Sequence, residues 1–550
     1  MSIKIALDNQ PEFYTNLDGL SGTVFLTLPR SEQIGSIVVK LEGESGTALQ
    51  VPRNYGHEPG VTRVNPPPGP PGSIVSENHK ILYKIVKVFP DDYYESSSSP
   101  YGAYPLDAGQ HQFPFKFKLP INNACSNPQA MARIGGMGGV GGYGPGGGLF
   151  GLGGVRVMDG SKQLFLRHVT ATLPPSLTGF PMQAEIRYYI KVTVQRPGLL
   201  KENWRYQIGF KFLPIEPPRP PITGQEAFAR RPFSFQQRTQ AQKKRSSIFS
   251  SKKANEALAN AGGDSPTAPS VEISARLPHP LILTCNQPIP LRLIAKKLVD
   301  SSEQIHLVSF QMDLIGVTEI RSHGLFHHKV NRWVVVSYTD LSIPLCAPGD
   351  EVGKELTLSD ELWRNRALPN TVAPSFNTCN LSRKYEIELK IGVCWGKPKS
   401  GPMAKDPFTQ PQTIFLPLHF ANVNIFSGIT PPAELLEAAR NTRPGEVTIS
   451  RPPRLPPRTS VSEASNPGPS ARPPQRPSQP SMPPRPPQDP LYPPQLPPGD
   501  VPAYEDVPPP SYDEAMADNL AGPFDGLRPR PAYSGVTNEN APSEMPPEKR

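Results

Sequence analysis

The stretch QAEIRYYIKVTVQ, residues 183–195, decides the fold class. Ala184, Ile186, Tyr188, Ile190, Val192 and Val194 fall on one side of an extended chain. Glu185, Arg187, Lys191, Thr193 and Gln195 fall on the other. Successive side chains of a strand point to opposite faces, so this period of two predicts a half-buried antiparallel strand. Phe113, Phe115, Phe117 and Leu119 alternate in the same way. Further strands are predicted over 22–28, 34–42, 80–89 and 205–213, and then over 270–275, 289–298, 304–315, 332–341, 385–395 and 413–421. Helical patterns are confined to short pieces at 360–366 and 433–440. Many short strands punctuated by glycine and proline predict an all-β chain built of antiparallel sandwiches.

Composition divides the chain. Nearly half of its 73 prolines follow residue 428, whereas Trp204, Trp333, Trp363 and Trp395 all precede it. Apolar periodicity stops at the same place. A segment that buries so little apolar surface cannot offset its chain entropy, so 428–550 reads as a disordered Pro-rich tail. Residues 1–216 form a first lobe, with a Gly-rich loop at 133–154, and 270–427 form a second. Residues 217–269, Pro-rich and then basic and Ser-rich, read as a disordered linker between them.

Several function classes fall away. The five cysteines (Cys125, Cys285, Cys346, Cys379 and Cys394) are few, odd in number and widely spaced. They argue against a secreted disulfide framework and for a reducing compartment. The first residues lack the apolar core of a signal peptide, and no stretch approaches the roughly 18 apolar residues of a membrane span. Any membrane contact is expected to be peripheral, and the chain cytoplasmic. The net charge of +9 is concentrated between 230 and 253 rather than spread over a domain face, so no nucleic-acid partner is expected. His323, His327 and His328 are close in sequence, but no cysteine or carboxylate completes a metal-ligand pattern beside them. Cys379 and Cys394 read as core or loop thiols. The Gly-rich stretch lacks the Gly-Lys-Ser/Thr ending of a phosphate-binding loop. No catalytic residue, metal ligand or cofactor is expected, and the chain does not read as an enzyme.

Particular runs carry a family resemblance. They are Gly22-Thr-Val-Phe-Leu-Thr-Leu28, Ile37-Val-Val-Lys-Leu-Glu-Gly43, and Leu106-Asp-Ala-Gly-Gln-His-Gln-Phe-Pro-Phe-Lys-Phe-Lys-Leu-Pro120. To these is added Leu173-Pro-Pro-Ser-Leu177, leading into the alternating strand. This lobe resembles an arrestin N-terminal domain, and 270–426 resembles the arrestin C-terminal domain by pattern more than by motif. The whole is similar to the α-arrestins, the arrestin-related trafficking adaptors. The resemblance implies two immunoglobulin-like β-sandwich lobes. It also implies a tail that brings a WW-domain HECT ubiquitin ligase to membrane transporters or receptors, at the plasma membrane and endosomes. A related branch acts in ambient-pH signalling. The Gly-rich insert departs from the family pattern.

The tail motifs fit this reading. Pro509-Pro510-Ser511-Tyr512 is a strict PPxY: adjacent prolines already in polyproline II fill one aromatic groove of a WW domain, and the tyrosine fills the other. Tyr492, Tyr504, Tyr512 and Tyr533 each have a proline two residues before them, at Pro490, Pro502, Pro510 and Pro531. Pro502 and Tyr504 make the better secondary WW site, and the 490–492 and 531–533 pairs poorer ones. Tyr504 and Tyr512 would lie about 25 Å apart at roughly 3.1 Å per residue, which suits tandem WW domains. Two runs fit SH3 ligands, Pro453, Pro456 and Arg458, then Pro480, Pro483 and Arg485. They leave open an SH3-binding endocytic scaffold that recruits no ligase. In the basic linker, Ser246, Ser247, Ser250 and Ser251 are candidate phosphorylation sites. Their modification would cancel charge that suits an anionic membrane and would create a docking site of the 14-3-3 type.

Overall fold

The structure is a computed structural model that describes residues 1–53, 69–91, 103–127, 168–180, 183–198, 201–236, 267–369, 372–395, 413–433 and 435–437. The first lobe contains β1 (Ser2–Leu7), β2 (Gly19–Leu28), β3 (Glu32–Ile34), β4 (Ser36–Gln50), β5 (Ile74–Phe89), β6 (Tyr104–Leu106), β7 (Gly109–Lys118), β8 (Leu177–Phe180), β9 (Ala184–Gln195) and β10 (Trp204–Phe210). The second contains β11 (Glu226–Ser234), β12 (Ser270–Pro278), β13 (Ile282–Thr284), β14 (Arg292–Lys297), β15 (Ile305–Ser322), β16 (Leu325–Tyr338), β17 (Ile343–Cys346), β18 (Glu355–Thr357), β19 (Phe376–Asn377), β20 (Leu381–Trp395) and β21 (Thr413–Phe426).

Each lobe is two sheets packed face to face. In the first, β1-β2-β7 covers β10-β9-β4-β5, with β8 paired to β9 and β3 to β6. In the second, β11-β12-β14-β18 covers β13-β21-β20-β15-β16, with β17 on β15 and β19 on β20. Ladders are antiparallel except β13 with β21. The alternation that predicts β9 is seen directly. Ile186, Tyr188, Ile190, Val192 and Val194 are buried against Val24, Leu26, Phe115 and Phe117 of the covering sheet. The second core gathers Ile273, Leu293, Phe310, Leu314, Leu389 and Leu418 around Trp363. Trp363 follows a single 3-10 turn at Asp360–Leu362, where the sequence suggests a longer helix, and its Nε1 donates to the Leu291 carbonyl at 2.9 Å.

Two expected boundaries move. Residues 226–234, assigned to the disordered linker, form the edge strand β11, paired along its length with β12. Ala227, Ala229 and Phe233 face the second core. Pro232 is tolerated because an edge strand has a side with no ladder bond to give. The folded body also continues past 427. Ile429 is buried with Phe13, Leu213 and Ile215, and its carbonyl accepts the Glu216 amide at 2.9 Å. The segment after β21 thus leaves the second lobe and packs against the first.

The face of β4 turned away from the first core is polar yet buried. Strand pairing sets Glu42 beside Tyr83 and Tyr189, and Glu44 beside Lys80 and Arg187. The Lys80 ammonium, fully buried, pairs with both carboxylates. Arg187 donates to Glu44 from Nη2 at 2.8 Å, and the Tyr189 hydroxyl lies 2.8 Å from Glu42 and 2.7 Å from Glu44. Burial alone would raise the pKa of Glu44, but Lys80 and Arg187 outweigh it and hold the carboxyl far below its ordinary range. Nearby, burial pushes the Lys40 ammonium down to about 8.

A Cβ on Gly316 would sit 2.7 Å from Arg383 Nη2 and 2.8 Å from Trp333 Cζ3. Arg383 is wholly buried, bonded to Thr318 and Tyr385, and stacked 5.2 Å from the Trp333 ring, so it cannot swing aside. Gly316→Ala should cost about 1–3 kcal/mol, read as a lower denaturation midpoint; an unchanged midpoint would contradict the packing. Lys80→Met removes the cation paired with Glu42 and leaves Glu44 with Arg187 alone, and should cost about 3–5 kcal/mol at pH 7. A carboxyl with a depressed folded pKa stabilises above its unfolded pKa and loses that contribution as pH falls. Wild type should therefore weaken as the pH falls below about 4, whereas the variant has no Lys80 pairing left to lose, and the gap between them should narrow in urea melts between pH 7 and about pH 3.

Candidate functional site

The most elaborate side-chain arrangement among the described residues lies where the two lobes meet. The β15–β16 hairpin turns on His323 and Gly324, whose φ angles of 46° and 87° are those of a two-residue primed turn. Glycine meets the second position without strain. The tip reaches the first lobe: Ile320 and Leu325, together with Leu381 at the start of β20, join the first lobe's core. Around them the contacts are polar. The Asn380 side chain accepts from Ser45 Oγ at 2.7 Å and donates to the Ser45 carbonyl at 2.9 Å. Thr47 Oγ1 donates to the Arg321 carbonyl at 2.6 Å, and Ser322 Oγ to the Val75 carbonyl at 3.0 Å. Ser45 and Asn380 are completely buried.

Glu77 on β5 organises the next layer. One carboxylate oxygen accepts the His323 backbone N–H at 2.7 Å, and the other lies 2.7 Å from His79 Nε2. Burial works against the charge on Glu77, but these two donors prevail and hold its pKa below the ordinary carboxylate range. Burial likewise opposes a charged His79, yet the neighbouring Cys379 and the hydrogen-bonded Glu77 raise its pKa.

Beyond His79 stand Cys125, His168 and Cys379, and one nitrogen or sulfur from each of the four residues lies within 4.8 Å of every other. The two sulfurs are 3.4 Å apart, and Cys379 Sγ is 3.9 Å from His168 Nδ1. The imidazoles of His79 and His168 meet edge to face at 5.4 Å. His79, Cys125 and Cys379 are buried and His168 partly so. The Cys379 thiol is pulled well below its ordinary pKa, first by hydrogen bonding with Cys125 and then by His79. Two cysteines and two histidines are a donor set that a metal ion can share.

The sequence reading names none of these four as a ligand. They are far apart in the chain and come from β5, the segment after β7, the segment before β8 and the turn before β20. Cys379, read from sequence as a core or loop thiol, is buried here but faces two imidazoles. His323 is a turn residue held by Glu77, and His327 and His328 lie exposed on β16. The sequence-derived partner motifs lie outside the described residues: the WW-binding candidates, the SH3 candidates and Ser246, Ser247, Ser250 and Ser251. No helix among the described residues is long and apolar enough to cross a membrane.

Residues 3–142 match the family model of the arrestin (S-antigen) N-terminal domain. Among curated proteins, arrestin-related trafficking adapter 10 of Lachancea thermotolerans is 29% identical over 131 residues, 22% of this chain and 28% of that protein. The match thus spans little more than a quarter of the relative's length. The two antiparallel sandwiches and both matches agree, and together they support the α-arrestin family for this chain.

Proposed function

We propose that the chain is a non-catalytic trafficking adaptor that brings a WW-domain HECT ubiquitin ligase to membrane cargo. The observation that carries the proposal is a strict PPxY, Pro509-Pro510-Ser511-Tyr512, on the same chain as a lobe that matches the arrestin N-terminal domain. The similarity to a trafficking adapter supports the same direction. In this reading the tail holds the ligase and the body selects cargo, so the ligase's effective concentration rises at cargo lysines without any chemistry by the adaptor itself. Cargo ubiquitination and endocytosis follow, with the chain moving from the cytosol to the plasma membrane and endosomes. Among the described residues, β16 lies at a sheet edge, which suits an extended cargo segment.

The test is binding of a peptide spanning residues 500–520 to isolated WW domains of a HECT ligase. Wild type should bind at about micromolar strength. Tyr512→Ala should remove most of the affinity, and adding Tyr504→Ala should remove the remainder. A peptide that fails to bind, or that binds regardless of both tyrosines, would sink ligase recruitment and leave the SH3-binding scaffold ahead.

A further inference from the structure

We propose that His79, Cys125, His168 and Cys379 form a closed structural zinc site that clips the second lobe to the first. The inference is independent of the ligase reading.

The geometry suits one tetrahedral ion. Zinc bonds of about 2.3 Å to sulfur and about 2.0–2.1 Å to nitrogen imply tetrahedral edges of about 3.8 Å between sulfurs and about 3.5 Å between sulfur and nitrogen. The observed 3.4 Å and 3.9 Å lie on either side of those lengths, and all four donors fall within 4.8 Å. A separation of 3.4 Å is far too long for a disulfide, whose sulfurs bond at about 2.0 Å. A disulfide would also give the two converging imidazoles nothing to do.

The surroundings are those of a ligand shell. Glu77 takes the Nε2 side of His79, which fixes the ring and turns Nδ1 toward the cluster. That Nδ1 is buried and has no hydrogen-bond partner, as expected of an atom whose lone pair is meant for an ion. The Val169 amide donates to Cys379 Sγ at 3.3 Å, and Asn123 Nδ2 lies 3.4 Å from Cys125 Sγ. Asn123 is itself held by the Val169 carbonyl and the Ala171 amide. N–H donors aimed at sulfur favour thiolates over thiols, and two thiolates would neutralise a divalent cation in a buried place. Two sulfurs and two imidazole nitrogens select zinc over magnesium or calcium. Four protein ligands leave no open position, so the site is structural rather than catalytic.

The chain positions of the ligands say what the clip does. Three come from the first lobe and Cys379 from the second, one residue before the Asn380 that forms the polar junction. Cys125 and His168 precede and follow the Gly-rich insertion in sequence, so one ion would join the described chain on both sides of it to the neighbouring lobe.

The test uses the purified full chain, prepared under reductant. Wild type should carry about one equivalent of zinc. Cobalt replacement should give a thiolate-to-metal charge-transfer band and the strong visible bands of tetrahedral coordination. A high-affinity chelator should lower the thermal midpoint, with zinc but not magnesium restoring it. Cys379→Ser and His79→Ala should lose the zinc, whereas Cys346→Ser, a buried thiol elsewhere in the second lobe, should keep it. Should the cluster variants fail to fold, the wild-type cobalt spectrum and chelator response still decide. Reduced wild type without stoichiometric zinc and without the cobalt bands would overturn the proposal. So would a Cys125–Cys379 disulfide in the metal-free chain whose formation alone accounts for its stability.

Discussion

The arrangement of the body depends on one buried side-chain amide. Asn380 is completely enclosed, and its oxygen and nitrogen both bond to Ser45, on a strand of the other lobe. Its backbone carbonyl accepts the Arg321 amide at 2.8 Å, so the same residue also ties β20 to the end of β15. An enclosed amide that loses its partners costs about 1–3 kcal/mol, so the junction penalises any relative position of the lobes that breaks these bonds. Apolar contact from Ile320, Leu325 and Leu381 supplies the attraction, and the polar bonds make it specific to one docking.

Around that amide the polar groups are linked rather than isolated. Glu77 bonds the hairpin tip through one oxygen and His79 through the other. Movement of the hairpin therefore bears on the Cys and His cluster, and a bound ion would in turn hold the hairpin. The Lys80, Glu42, Glu44 and Arg187 network draws on the same two strands, β4 and β5, with Arg187 added from β9. Strands that carry charge on both sides of a junction are costly to fold. Such strands tolerate single substitutions poorly, because each one strands a partner in low dielectric.

Much of the architecture is legible in the sequence because its signal is local. The alternation at 183–195 needs only neighbouring residues, and the same holds for 113–119 and for most strands of the second lobe. Where a strand's partner decides its state, local reading fails. Residues 226–234 carry two adjacent arginines and a proline, yet β12 supplies the ladder and the core supplies a place for Ala227, Ala229 and Phe233. Ile429 looks like the start of the tail until Phe13 and Leu213, more than 200 residues earlier, are brought beside it. The four-residue cluster is the extreme case. No spacing rule joins His79 to Cys379, and only the meeting of the lobes does. The WW-binding motif is the converse, fully readable from residues 509–512 alone, because a linear motif needs no tertiary partner within its own chain.

The central structural claim is that Ser45 and Asn380 couple the lobes. A double-mutant cycle with Ser45→Ala, Asn380→Ala and the pair, followed by chemical denaturation of the full chain, measures that coupling directly. Hydrogen exchange at β4 and at the β15–β16 hairpin would be read on the same four proteins. The account predicts a coupling of about 1–2 kcal/mol and loss of protection on both sides of the junction from either single change. Single effects that add within about 0.3 kcal/mol, with exchange perturbed only in the mutated lobe, would contradict it.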